Sequence, residues 1–112
     1  MNGKYTVSLV GTSEYHWGLT ARNAQTMLTS KIYAAKAGAE TGIESCRTNS
    51  PDEARYERLE GKDARYYFVL RAADGEIIGT SETYPSVVTR EKAIALCKEC
   101  GPLARIAYAS TR

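Results

Sequence analysis

Chemistry-bearing side chains are scarce in this sequence. It has one histidine, His16, and three cysteines, Cys46, Cys97 and Cys100. A Ser-His-Asp or Cys-His site needs an imidazole with a nucleophile and an orienting acid beside it. The only imidazole lies in an alternating strand pattern between Tyr15 and Trp17, where it reads as a sheet residue. Zinc needs four ligands, and a Cys97-x-x-Cys100 pair leaves only Cys46 and His16 to complete the set from distant parts of the chain. A redox C-x-x-C places its first thiol at a helix N-terminus, which favours the thiolate. This pair falls near the end of a predicted helix, where a thiolate is disfavoured. The three cysteines are therefore read as core thiols, with redox exchange and half a zinc site as the weaker alternatives. No cofactor, no metal and no catalytic residue are expected, so the chain is read as a non-enzyme.

Long apolar runs are missing too, and with them any membrane span. The N-terminal segment lacks a continuous apolar core before a small-residue cleavage site. An odd cysteine count in a chain long enough to do without staples suits a reducing compartment, so the expected location is cytoplasmic. Charge of one sign is not in excess either: fifteen basic and thirteen acidic residues leave a net +2, too little for the field of a dedicated nucleic-acid binder. No Gly/Ser or Pro-rich linker interrupts the 112 residues, which are expected to form a single domain over 1–112.

What the sequence does have is a repeat. Displaced by 51 residues, the chain aligns with itself without a gap, matching Tyr5 with Tyr56, Tyr15 with Tyr66 and Leu19 with Leu70. The matches continue through Ala21 and Ala72, Thr29 and Thr80, Ser30 and Ser81, and Tyr33 and Tyr84. They run on through Glu40 and Glu91, Ile43 and Ile94, Cys46 and Cys97, and Pro51 and Pro102, where chance gives about three identities. The two units cover about 4–54 and 55–109.

The stretch Tyr66 to Tyr84 reads as a β-hairpin. Tyr66, Phe68, Leu70 and Ala72 share one face, and Tyr67, Val69 and Arg71 the other. Asp74-Gly75 suits a two-residue type I′ turn, which sets Leu70 against Gly79, Phe68 against Ser81 and Ala72 against Ile77. The copy at Tyr15 to Tyr33 has Asn23-Ala24 at the turn, where Ala is strained at positive φ. Leu28 stands where the second unit has Gly79, so the halves exchange bulk in a shared core. Lys4 to Val10 alternates as a first strand, Ala54 to Leu59 is expected as a strand shared by the two units, and Ala104 to Ala109 as the last, with Ser110 to Arg112 fraying.

After Tyr33 the period lengthens to helical, with Ala39, Ile43 and Cys46 on one face. The second helix carries Ala93, Ile94, Leu96, Cys97 and Cys100 on its apolar face, with Thr89 as N-cap, Glu91 in the first turn and Gly101-Pro102 at the end. The expected fold is α+β: two tandem β-β-β-α-β repeats form one antiparallel sheet with two packed helices, related by a pseudo-twofold axis.

The segments WGLTARNAQTMLTSKIY with AETGIESC, and FVLRAADGEIIGTSETY with REKAIALC, resemble the YegP-like family of small bacterial proteins over about Lys4 to Tyr108. The resemblance implies tandem or dimerised β-β-β-α-β units with exchanged C-terminal strands. It implies no activity and no catalytic residue. Because fusion of two units removes the need to dimerise, the chain is expected to be a monomer.

The remaining candidate is the second face of the sheet. On the alternation it carries His16, Thr20, Lys31 and Tyr33 from one unit and Tyr67, Arg71, Glu82 and Tyr84 from the other. Of these, His16, Lys31, Tyr33, Tyr67, Arg71 and Tyr84 form the candidate interaction face. Tyr and Arg are favoured anchors for a protein partner. Aromatic and basic residues on strands also suit single-stranded nucleic acid. The bland reading is a solvated face of ordinary strand residues. The favoured function is a small binding protein acting through a larger protein partner, a cellular complex or a host machine if the gene is viral. The alternative is a weak single-strand nucleic-acid binder.

Overall fold

The computed structural model describes residues 3–109. In chain order it has β1 Lys4–Val10, β2 Glu14–Thr20, β3 Thr26–Ser30, α1 Lys36–Asn49, β4 Tyr56–Glu60, β5 Tyr66–Arg71, β6 Ile77–Thr80, α2 Val87–Cys100 and β7 Arg105–Tyr108. Short 3-10 turns at Glu53–Arg55 and Lys62–Ala64 flank β4. The fraying expected for Ser110 to Arg112 lies outside the described residues.

All seven strands join one sheet in the order β4-β5-β6-β3-β2-β1-β7. The two units meet where β3 pairs with β6, and there Thr29 faces Thr80. These are equivalent positions of the repeat, so the pseudo-twofold axis passes between them. The expected α+β architecture holds, with one refinement: β1 and β7 run parallel, which makes the sheet mixed. After α2 the chain arrives where β1 begins, and it can only lie alongside that strand in the same direction. The last strand of the second unit thus completes the first unit's edge.

Both main hairpins turn differently from the expected two-residue form. Ala72 N donates to Glu76 O at 2.8 Å, Gly75 N to Ala72 O at 2.9 Å, and only Gly75, at φ +91°, is left-handed among the loop residues 73–75. This is a three-residue turn ending in a left-handed residue. The ladder therefore shifts at Leu70/Arg71: Leu70 still faces Gly79, but Ile77 faces Arg71, not Ala72. The first unit repeats the geometry, with Ala21 N to Gln25 O at 2.9 Å and Ala24 at φ +70°. An L-residue pays a steric cost there that Gly avoids, offset in part by the greater chain entropy of Gly in the unfolded state. Ala24→Gly is expected to stabilise the protein by about 0.5–1 kcal/mol. A higher urea midpoint at unchanged slope is the readout, and a lower midpoint would contradict it.

The shared Ser-x-x-Tyr segment has a mechanical role. Ser30 Oγ accepts from Trp17 N at 2.9 Å and donates to Lys31 O at 2.7 Å; Ser81 Oγ does the same with Phe68 N and Glu82 O. Each hydroxyl fills the place of a ladder carbonyl where the strand breaks. The chain then pairs again, Tyr33 with Tyr15 and Tyr84 with Tyr66.

Both helices cover the same face. Ala39, Ile43 and Cys46 of α1, and Ala93, Ile94, Cys97 and Cys100 of α2, join a core with Tyr5, Trp17, Leu19, Phe68 and Leu70. Leu96 packs at its margin. Leu28 fills the space that Gly79 leaves: a Cβ at Gly79 would sit 3.5 Å from Leu28 Cδ2. The N-cap of α2 is Ser86, not Thr89. Its hydroxyl accepts from Thr89 N at 3.1 Å, which starts the helix three residues earlier and moves Glu91 out of the first turn. Likewise β4 begins at Tyr56, because Asp52 Oδ1 accepts from Ala54 N at 3.0 Å and holds Glu53–Arg55 in a turn.

Candidate interaction faces

The helix-free face is built by register. Glu57, Val69, Thr80, Thr29, Gly18, Thr6 and Ala107 are successive neighbours across all seven strands. Apart from Glu57 at the β4 edge, this row carries only small and β-branched side chains. His16, opposite Ser8, and Tyr67, opposite Leu59, stand beside it at equivalent positions of the two units, both half-buried. Arg71 lies on the same face, with Nε 2.8 Å from Glu57 Oε1 and a guanidinium N–H donated to Gly75 O at 2.7 Å.

The other three expected residues are elsewhere. Tyr84 is 4% exposed, in the core under α2, and burial pushes its hydroxyl pKa up to about 12. Tyr33 lies against α1, where a Cβ at Gly38 would be 3.3 Å from its Cδ1 and one at Gly42 2.2 Å from its hydroxyl. Lys31 is drawn to Glu76 Oε2 at 2.9 Å and sits 5.5 Å over the Tyr33 ring. The cause is the break after Ser30 and Ser81. Alternation carried through residues 31–33 and 82–84 assumes a continuous strand, and the hydroxyl-bridged step changes which face the tyrosines meet.

The three thiols lie in the core. Cys46, Cys97 and Cys100 are buried and free, and desolvation pushes the Cys46 thiol up to about 12 and the other two upward. Among the described residues no cluster of three or more His, Cys, Asp or Glu side chains could hold a metal.

Sequence reasoning missed a charge network between the units. Arg58 on β4 grips Glu91 of α2 through Nε, at 2.9 and 3.0 Å, and Glu53 through a terminal nitrogen at 2.7 Å. Lys98 also bonds Glu53, and Arg90 Nε is 3.1 Å from Glu91. Its signal was Arg58 two residues after the inward-facing Tyr56, a cation on the core side of an edge strand. Hydrogen bonds from Arg58 and then Lys98 lower the Glu53 pKa to about 2, and Arg58 holds Glu91 below its usual range. A depressed carboxylate contributes stability above its ordinary pKa of about 4.5 and loses it as pH falls toward 2. Glu53→Gln is therefore expected to flatten the decline of thermal midpoint with acid over that window. An unchanged acid profile would show that the network does not act.

A profile of the family described as "Domain of unknown function (DUF1508)" matches twice, over residues 12–57 and 62–107. The chain belongs to this family. A UPF0339 protein of Acinetobacter baylyi is 44% identical over 106 residues, 95% of this chain and 96% of its own. The UPF0339 protein YegP of Escherichia coli O157:H7 is 43% identical over 101 residues, 90% of this chain and 92% of its own. The solution structure of yegP from E. coli, titled a protein of unknown function, superposes with a TM-score of 0.91 at 37% identity, covering 100% of this chain and 97% of that one. A UPF0339 protein of Shewanella oneidensis gives 0.90 at 41% identity, over 96% and 92%. The YegP-like resemblance read from the repeat is thereby confirmed, together with the fold. Among the described residues, no helix is long and apolar enough to cross a membrane.

Proposed function

We propose that the protein is a small non-enzymatic binding module that works as a cytoplasmic monomer through a larger protein partner, which docks on the helix-free sheet face. The observation that supports this reading is the continuous row of mostly small side chains from Glu57 to Ala107, with half-buried Tyr67, His16 and Arg71 beside it. Such a face offers broad contact, with aromatic and guanidinium anchors at its margin. Single-strand nucleic-acid binding is less well supported: stacking needs several exposed rings on one platform, and Tyr33 and Tyr84 pack toward the helices.

The test compares wild type with His16→Ala/Tyr67→Ala in capture of proteins from native extract and in binding of a single-stranded oligonucleotide at low and moderate salt. A protein held saturably and with little salt dependence, and lost in the double variant, supports the proposal. Affinity for the oligonucleotide that falls steeply with salt favours the nucleic-acid reading instead. Indifference of both assays to the substitutions overturns the face. Sedimentation as a stable dimer at micromolar concentration would overturn the monomer.

A further inference from the structure

Resting on the reading that the protein works through a protein partner, we infer that the open edge of β4 accepts a parallel strand from that partner, with apolar side chains at two alternate positions. The warrant is the pseudo-twofold axis. Strand β1 carries β7 on its outer edge, and β4, the repeat equivalent of β1, is the opposite end of the sheet, with no strand beyond it among the described residues.

The backbone at β4 is set for the same pairing. Val7 O accepts from Ala109 N at 2.8 Å, so the main-chain groups of Val7 face β7; its counterpart on β4 is Arg58. From the other end, Gly61 N donates inward to Arg65 O at 2.7 Å, which by strand alternation turns Glu60 outward. The N–H of Tyr56 is already given to Glu53 O. Among the described residues nothing takes its carbonyl or either group of Arg58 and Glu60, which remain for a neighbour. That is a ladder about as long as the four-residue β7.

The side chains follow from what β7 does on β1. Ile106, opposite Tyr5, packs on the core, and Tyr108, opposite Val7, lies under Lys36 and bonds Glu40 of α1. On the β4 side the counterparts of Lys36 and Ala37 are Val87 and Val88, which are 46% and 64% exposed. Two adjacent valines thus stand uncovered where the second inward side chain of a visiting strand would rest. The nearby charges do not compete for it, because Arg58, Arg90, Glu53, Glu91 and Lys98 already satisfy one another. The chemistry that fits is an extended segment with an aliphatic residue beside Tyr56 and an apolar or aromatic one beside Arg58. A parallel added strand draws its affinity from main-chain bonds and its choice of partner from such alternate pockets.

The probe is a synthetic peptide with the sequence of residues Ala104–Ala109, added in millimolar amounts to the full-length isotope-labelled protein and followed by amide and methyl NMR shifts. Saturable shifts at Arg58, Glu60 and the Val87 methyls, with a spin label on the peptide N-terminus broadening Tyr56 more than Glu60, are expected. Glu60→Pro removes an outward donor, and Val87→Asp the apolar seat. Each should weaken the peptide on the order of tenfold, the weight of one such contact. If Glu60→Pro loses its dispersed spectrum, Val87→Asp decides alone. No shift at β4, or shifts confined to β1 and β7, overturns the inference. Native extract separates it from the functional reading. A protein held saturably by wild type and equally by the two edge variants leaves the partner reading standing and removes the edge. Peptide binding at β4 without any protein held saturably leaves the strand-accepting edge and removes the partner reading.

Discussion

A chain truncated after Pro102 is expected to lose its cooperative melt altogether, although it removes only the last strand and its lead-in. The strand is the second unit's contribution to the first unit's sheet, so its loss strips one edge of the structure. Four register pairs with β1 go, from Lys4 opposite Arg105 to Val7 opposite Tyr108. Ala104, fully buried, and Ile106, packed against the core, leave as well. So do the bond from Tyr108 to Glu40 and the 2.7 Å bond that Arg47 donates to Ala104 O. Net ladder bonds at about 1 kcal/mol each and the apolar burial together come to about 5 kcal/mol, against a total stability of about 5–15 kcal/mol for a domain of this size. Tyr5 then faces water along its edge while its hydroxyl is held to Gly101 at what has become the chain terminus. Far-UV circular dichroism with a thermal scan is the measurement. A sigmoidal transition in the truncated chain close to that of the full one would show that the exchange of β7 is dispensable.

That dependence came from the family resemblance, which implies exchanged C-terminal strands, because units that exchange their last strands must close each other's sheets. The core was legible in the repeat itself: Leu19 and Leu70, Ile43 and Ile94, and Cys46 and Cys97 are matched between the units and are all buried. Legibility ended where regular period was assumed across a break. Ser30 and Ser81 look like ordinary strand residues, yet their hydroxyls replace ladder carbonyls. The two residues that follow each of them step out of the ladder, and Tyr33 and Tyr84 end against helices. Alternation placed His16 and Tyr67 correctly, since no break precedes them in their strands, and Arg71, although it follows the ladder shift after Leu70, stays on their face beside Glu57. Turn type failed by one residue: a Gly at φ +91° ends a three-residue loop as readily as it sits in a two-residue one, and the sequence Ala-Asp-Gly suits both. The charge network was hidden because Arg58, Glu53 and Glu91 are brought together by the docking of α2 on β4 and β5, which no local pattern encodes.

The pseudo-twofold axis also predicts a rescue. Ser50 and Gly101 are equivalent positions at the ends of α1 and α2, and they touch: a Cβ at Gly101 would lie 2.1 Å from Ser50 Oγ, 2.7 Å from Ser50 Cβ and 2.8 Å from Cys97 O. The backbone of Gly101 is right-handed helical, at φ −52°, so a side chain there is excluded by space and not by conformation. Gly101→Ser alone should cost about 3 kcal/mol, the upper range of overpacking, because Ser50 Cβ and the Cys97 carbonyl cannot both withdraw. Ser50→Gly alone should be nearly neutral. It removes a buried hydroxyl that has no hydrogen-bond partner among the described residues, which offsets the added chain entropy of Gly at about 1 kcal/mol. Combined, the two substitutions exchange the residues across the axis and recreate the same serine-over-glycine contact from the other side. The surroundings match: Tyr5 donates to Gly101 O at 2.6 Å, and Tyr56 donates to Ser50 O at 2.7 Å. The double variant should recover to within about 1 kcal/mol of wild type, a coupling of about 2 kcal/mol measured by urea unfolding of all four proteins. Additive losses would mean that the two helix ends are not interchangeable, and that the axis relating the folds of the two units does not extend to their packing.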